Sequence, residues 1–295
     1  GSRTRKMEIL FCIGLTSLLF SCADKDGQNT LEDDSNITGS CTEGETVTAV
    51  FSFFGYSRNE NGVSWGFNLD DHVSEAGDPE GCNKADFVDP LGNEGIDNAF
   101  SNLLPALEST EAAALEPLLQ QSINTGDLLI MIEITGIDDR YNDDCVSVGF
   151  YRGKGSPMIG TDGVLLDGQS FERDLSLPHS IVENVSIENG HMTAMPLDIQ
   201  IPAQILDEAL NLHIYNGGLD ITLLDDGGLQ GFLGGSIPIS FLTDIIELDD
   251  VNLPEGVSAL LYAAADLYPN DEGVCDYLSV AFQYEAIPAF FYIEE

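Results

Sequence analysis

Three dipeptides, Asn189-Gly190, Asn216-Gly217 and Asp226-Gly227, cut the second half of this chain into short apolar runs. Each offers the positive φ that a tight hairpin turn requires. The runs around them lie in "IVENVSIENGHMTAMPLDIQIPA" and "ALNLHIYNGGLDITLLDDGGLQGFLGG". The first half has strand signals of the same kind in "TVTAVFSFF" (Thr46 to Phe54), "DLLIMIEITG" (Asp127 to Gly136) and "CVSVGFYR" (Cys145 to Arg152). The last two flank an acidic loop and read as a hairpin. Strands this closely spaced predict a mainly β chain: an antiparallel β-sandwich or barrel-like sheets with a few short helices.

The helices are few enough to place individually. Ile96, Phe100, Leu103, Leu104 and Leu107 recur at helical spacing after "GIDN". A second helix is expected over Ser109 to Asn124, capped by Ser109 and kinked at Pro117. A third, Ser258 to Leu267, is nearly all apolar and so is expected to be buried against a sheet. "SFLTDII" adds a turn or two.

Charge narrows the partners. The chain has 51 acidic residues against 10 Lys and Arg, and from Asp174 to Glu295 it carries 21 carboxylates with no Lys or Arg at all. That half cannot form an internal Lys or Arg salt bridge. Its carboxylates must be solvated, bonded to backbone, screened by salt or neutralised by bound cations. Nucleic acid and anionic headgroups are excluded, because they need a basic footprint. Self-repulsion of this size suits a saline or calcium-rich setting.

The N-terminal segment is the strongest targeting signal. Ile9 to Phe20, "ILFCIGLTSLLF", follows Arg3, Arg5 and Lys6 and is too short to span a bilayer. It ends in "LFSC", Leu19 to Cys22, which resembles the lipobox of bacterial lipoproteins. That resemblance implies cleavage before Cys22, lipidation of Cys22 and a stable anchor in the membrane. Ala23, where an aspartate would retain the protein at the inner membrane, favours the outer membrane. If Met7 is the start, the basic residues fall outside the signal. The expected organisation is a signal peptide over 1–21, an acylated cysteine and flexible acidic tether over 22–40, a β-rich first half with two helices over 41–175, and an acidic β-rich second half over 176–295 packed on the first.

Four cysteines then remain, Cys41, Cys82, Cys145 and Cys275, which in an exported chain suggest two disulfides. Of the three connectivities, Cys82 with Cys145 and Cys41 with Cys275 is favoured. Any complete pairing ties Cys275 to the first half.

The loop "GIDDRYNDDC" poses the main question about function. Asp138, Asp139, Asn142, Asp143 and Asp144 are hard oxygen ligands of the kind Ca2+ takes. The loop is not an EF-hand, because Arg140 stands at the third position and the sixth-position glycine is missing. The competing reading is a solvated hairpin tip with Arg140 paired locally. Weaker acidic clusters occur at Asn68 to His72, Asp97-Asn98, Asp225-Asp226 and Asp249-Asp250. With so few cations in the chain, they point to at least one bound divalent ion.

Enzyme signatures are thin. His72, His179, His191 and His213 lack zinc spacing. The segments around Ser156 and Ser236 do not match a nucleophile elbow. Carboxylate pairs for glycoside hydrolysis are too numerous here to single one out. Trp65 reads as half-buried in a sheet rather than as a sugar platform. "YNDDCVSVGF" from Tyr141 echoes "YPNDEGVCDYLSVAF" from Tyr268, as a duplication or as similar demands on two strand entries.

The set "GFNLDD", "GCNKADF", "GIDNAF", "DDCVSVGFY", "GTDG" and "CDYLSVAFQYEAIPA" resembles an uncharacterised family of predicted surface lipoproteins of myxobacteria and related, often marine, bacteria. The resemblance implies a cell-surface lipoprotein and carries no catalytic residue. The expectation is a lipid-anchored envelope protein with a binding or structural role, calcium-dependent, whose partners are the membrane and envelope proteins or glycans. The alternative is a surface-tethered carbohydrate-active or ester hydrolase using carboxylates.

Overall fold

The runs read as strands are strands, most of them longer than the sequence marks them. The described residues of this computed structural model are 41, 43–205, 208–248 and 256–294; the signal segment, Cys22, the tether and Asp249-Asp250 lie outside them. In chain order the elements are β1 (Glu45–Tyr56), β2 (Phe87–Val88), β3 (Glu94–Ile96), α1 (Leu104–Leu107), α2 (Leu115–Thr125), β4 (Leu129–Ile137), β5 (Asn142–Lys154), β6 (Gln169–Arg173), β7 (Ser180–Glu188), β8 (His191–Ile205), β9 (Glu208–Leu223), β10 (Leu229–Pro238), α3 (Ile239–Leu248), α4 (Val257–Ala264) and β11 (Tyr277–Tyr292).

Eight strands hydrogen-bond in a closed circuit, β1-β4-β5-β7-β8-β9-β10-β11 and back to β1, with every neighbouring pair antiparallel. Closure of this kind removes the sheet edges that would otherwise template aggregation. The registers show the tilt. Ile287 leads across Val50 and Met131 to Tyr151 on β5. Glu285 leads the other way, across Gln230, Thr222, His191 and Glu188, to Asn142 on the same strand. The ring therefore closes with a stagger of roughly ten residues, as tilted barrel strands require. β6 makes a second, shorter circuit: it runs parallel to the end of β11 and antiparallel to the end of β5. Strands from before and after residue 175 thus share one hydrogen-bonded ring.

One apolar cluster draws on all eight ring strands, with Phe51, Ile132, Val148, Ile187, Ile199, Ile221, Leu233 and Val280 among its members. Phe51 stacks on Tyr284 with centroids 4.5 Å apart. The Tyr284 hydroxyl donates to the Asp220 carbonyl at 2.7 Å, so this buried phenol is not orphaned. On β8, Met192, Ala194, Leu197, Ile199 and Ile201 are buried while His191, Thr193 and Asp198 are exposed, the alternation of a strand with one wet face. β1 is buried more widely because α2 lies on it: Ile123 is fully buried and Gln120 Nε2 donates to the Ser52 carbonyl. Each such aliphatic side chain contributes about 1.5–3 kcal/mol on burial.

Several local expectations are corrected. Thr110, not Ser109, accepts the helix-start N–H, from Ala112; Ser109 turns back to the Ala106 carbonyl. Pro117 sits in the first turn of α2, where its missing N–H costs nothing, so it starts the helix rather than kinking it. α3 is ten residues long, not a turn or two. α4 buries Val257 and Leu261 but exposes Leu260 and Tyr262. Asn189-Gly190 and Asp226-Gly227 do turn hairpins, whereas Asn216, at φ 48°, forms a bulge inside β9. The glycines after it serve packing. A side chain on Gly218 would collide with Met195 and the ring of Phe67, and one on Gly234 would crowd that same ring, which lies across β9 and β10 and tilts against Phe232 at 4.7 Å. Trp65 is half-buried and stacks on Phe232 from the same side.

The favoured disulfide pairing is also overturned. The bonds join Cys41 to Cys145 and Cys82 to Cys275, with Cα–Cα distances of 5.0 and 6.1 Å. The register explains the first: Glu45 pairs with Ile137, so the approach to β1 passes the β4–β5 tip where Cys145 stands. Cys82 lies instead in the second apolar cluster, with Leu103, Ile239, Leu261 and Leu278 around Cys275. A non-reducing digest is expected to yield peptides linked 41–145 and 82–275; an 82–145 peptide would refute this topology. With its cysteines 193 positions apart, loss of the 82–275 bond is expected to lower stability by roughly 5 kcal/mol, read by denaturant melts of Cys82→Ala with Cys275→Ala.

Candidate functional site

The acidic loop is a hairpin tip. The Asp143 carboxylate accepts the N–H groups of Asp138, Asp139 and Cys145 at 2.7, 3.2 and 2.9 Å. Burial pulls its pKa up, but these three bonds outweigh it and leave Asp143 below the ordinary carboxylate value. Asp139 accepts from Tyr141 and Asn142. Asn142 accepts from Asn189, and Arg140 reaches across to Glu45 on β1 rather than pairing within the loop. Of the five residues Asp138, Asp139, Asn142, Asp143 and Asp144, the turn's own N–H groups thus engage Asp139 and Asp143. Among the described residues no group of three or more His, Cys, Asp or Glu is placed to hold a metal ion.

The more structured polar region lies where residues 57–103 fold back over the ring. Asn98 is 1 % exposed and uses its whole amide: Nδ2 donates to the Ser57 carbonyl and Ser64 Oγ, and Oδ1 accepts from Ala281 N–H. Next to it, Asp97 accepts from Leu69 N–H at 2.6 Å. On the other side, Asp266 receives both the N–H and the hydroxyl of Ser279, whose Oγ in turn accepts from Ala99 N–H. These bonds fasten the "GIDNAF" segment to β11. They also explain why short polar residues stand at buried positions in an apolar stretch.

Desolvation dominates the electrostatics here. Burial pushes Asp97 up to about 9 against its single backbone bond, with Asp266, Asp70 and Asp86 adding like-charge repulsion. Burial also raises Asp266, to about 7, with the two Ser279 bonds opposing it. Asp86, on the approach to β2, is raised by burial as well, despite the N–H it receives from Ser74. Asp97 is accordingly protonated at neutral pH.

Beside this knot is a cavity of about 190 Å3. Its polar lining is Lys84, Asp86, Asn98, Asn102 and Asp266, and Phe87 and Ile96 are among its apolar walls. The Lys84 to Asp86 side is shaped by Cys82 and Asn83, two consecutive residues at φ 51° and 63°. Side chains rarely adopt that backbone, and here the bond to Cys275 and the Asn83 N–H to the Asp78 carbonyl hold it. Of the polar lining residues, the sequence marked only Asn98 as part of a candidate site. The missed signal was a lone aspartate, Asp266, closing the apolar run "AAADL".

Asp97 has its folded pKa raised far above its unfolded value, so it binds a proton more tightly in the folded protein. Its contribution is therefore present at low pH and lost as pH rises from about 4 towards about 9. Asp97→Asn, which keeps an acceptor for Leu69, is expected to remove a loss on the order of 1 kcal/mol per pH unit. Thermal melts of the two proteins at pH 6 and pH 8 check this; equal slopes would count against a protonated Asp97.

No protein-family model, curated protein or solved structure matches this chain.

Proposed function

We propose that the protein is an exported, lipid-anchored component of a bacterial outer membrane. In this reading its barrel-like domain binds a small ligand in the cavity beside Asn98, and its surface charge is balanced by ions of a saline or calcium-containing medium. The observation that carries the reading is the pair of long-range disulfides, which persist in exported rather than cytosolic proteins. The lipobox-like Leu19 to Cys22 and the acidic tether add the anchor. A filled apolar core favours recognition at the ring's outer side over transport of a ligand through its middle. The hydrolase alternative draws less support, since Asp266 is committed to Ser279 and Asp97 to Leu69.

The counter-charge argument rests on how the cation-free stretch is wired. Some of its described carboxylates turn to histidine, as Asp220 does to His191 and Asp198 to His213; others turn to backbone N–H, as Asp226 does to Gly228, or to a hydroxyl, as Asp266 does to Ser279. None of these arrangements cancels the net charge of the stretch, so mobile ions must do so.

Two measurements test the proposal. Cys22→Ser is expected to abolish incorporation of labelled palmitate and to release the protein from the membrane fraction; a variant that stays bound would remove the anchor. The purified protein is expected to melt at a markedly higher temperature in seawater-strength NaCl than in metal-free buffer of a few millimolar salt. An unchanged melting point would end the counter-ion reading, and a rise with CaCl2 well beyond matched ionic strength would identify calcium as the specific ion.

A further inference from the structure

The cavity's open polar atoms define what fits it. Arg58 pairs with Glu108 and Glu116, Arg140 with Glu45, Lys154 with Glu172, and Arg173 lies over Tyr151. Lys84, by contrast, has no hydrogen bond or ion pair through Nζ among the described residues, in a chain where acids outnumber Lys and Arg 51 to 10. Asp86 uses Oδ2 for Ser74 N–H at 2.6 Å and has no donor to Oδ1 among the described residues. Asn102 accepts from Asn59 through Oδ1 and has no acceptor for Nδ2 among the described residues. Asn98 is fully satisfied and fixes the wall between them.

Lys84, Asn102 and Asp86, which carry two kinds of donor and one anionic acceptor, thus line a space that would hold roughly six waters, well below the size of a drug-like pocket. A pure anion would meet Asp86 and Asp266, a pure cation would meet Lys84, and a metal ion lacks a third ligand. We propose that this cavity binds a small zwitterion, an α-amino acid with a short apolar side chain. Its carboxylate lies on Lys84 and Asn102, its ammonium on Asp86, and its side chain against Phe87 and Ile96. Neither charge is then buried without a partner, which is the condition for tight binding of a charged ligand. This ligand class rests on the binding role proposed above.

Titration calorimetry of the full, acylated protein in detergent with glycine, L-alanine and L-valine tests it. At least one is expected to bind saturably at a Kd below about 1 mM. Propionate and ethylamine, which each keep one charge of alanine, are expected to bind at least tenfold more weakly. Lys84→Gln, which removes no hydrogen bond or ion pair among the described residues, is expected to weaken the amino acid at least tenfold with an unchanged circular dichroism spectrum. No saturable binding of any of the three, equal binding of propionate or ethylamine, or an unaffected Lys84→Gln protein would overturn the proposal. Each of those results leaves the anchor reading standing, because that one is decided separately by the fate of Cys22→Ser.

Discussion

The hydrogen bonds between β1 and β11 turn a sheet into a ring. Seven residues of β1, from Ala49 to Tyr56, find partners on β11, and the same β11 serves β10 on its other edge and β6 at its end. Most other features follow from this closure. The apolar faces of eight strands meet as one core, and the wet faces point outward. The only direction left for the long 57–103 excursion is over the outside, where Gly218 and Gly234 leave room for Phe67 to settle.

Much of the ring was legible in the sequence, because period-two alternation and Asn-Gly or Asp-Gly turns act over a few residues. β4, β5 and the acidic tip between them follow from local chemistry alone, and so do the turns at Asn189 and Asp226. What was not legible depended on distant pairing. Cys82 could be matched with Cys275 only once β11 was placed in the ring, since three connectivities satisfy four cysteines equally. Asn216-Gly217 carries the same local signature as a hairpin turn, and tertiary packing made it a bulge under Phe67 instead. The oxygen donors of the acidic tip are adjacent in sequence and so were legible as a group. Which N–H groups they already serve is a matter of backbone path.

The candidate site was the least legible part, for a related reason. Lys84, Asp86, Asn98 and Asp266 come from three separated segments, and none sits in a recognisable spacing. The physics that draws attention to them is burial, which needs the fold. Asp97 and Asp266 are expensive to ionise where they stand, and the chain tolerates this by bonding one to Leu69 and the other to Ser279. The surrounding knot gives the region a rigid wall, as a binding site needs. It is also the place where burial raises two carboxyl groups, Asp97 to about 9 and Asp266 to about 7.

The separation between β1 and β11 has a further consequence. A ring whose halves are joined through Tyr277–Tyr292 cannot shut until residue 292 has been synthesised, and the 82–275 bond waits on the same stretch. Until then the polypeptide stays threadable, held open by contacts it has yet to make and by mutual repulsion along its length. If the protein is exported as proposed, such lateness would help it, because the topology itself delays commitment until the far side of a narrow channel.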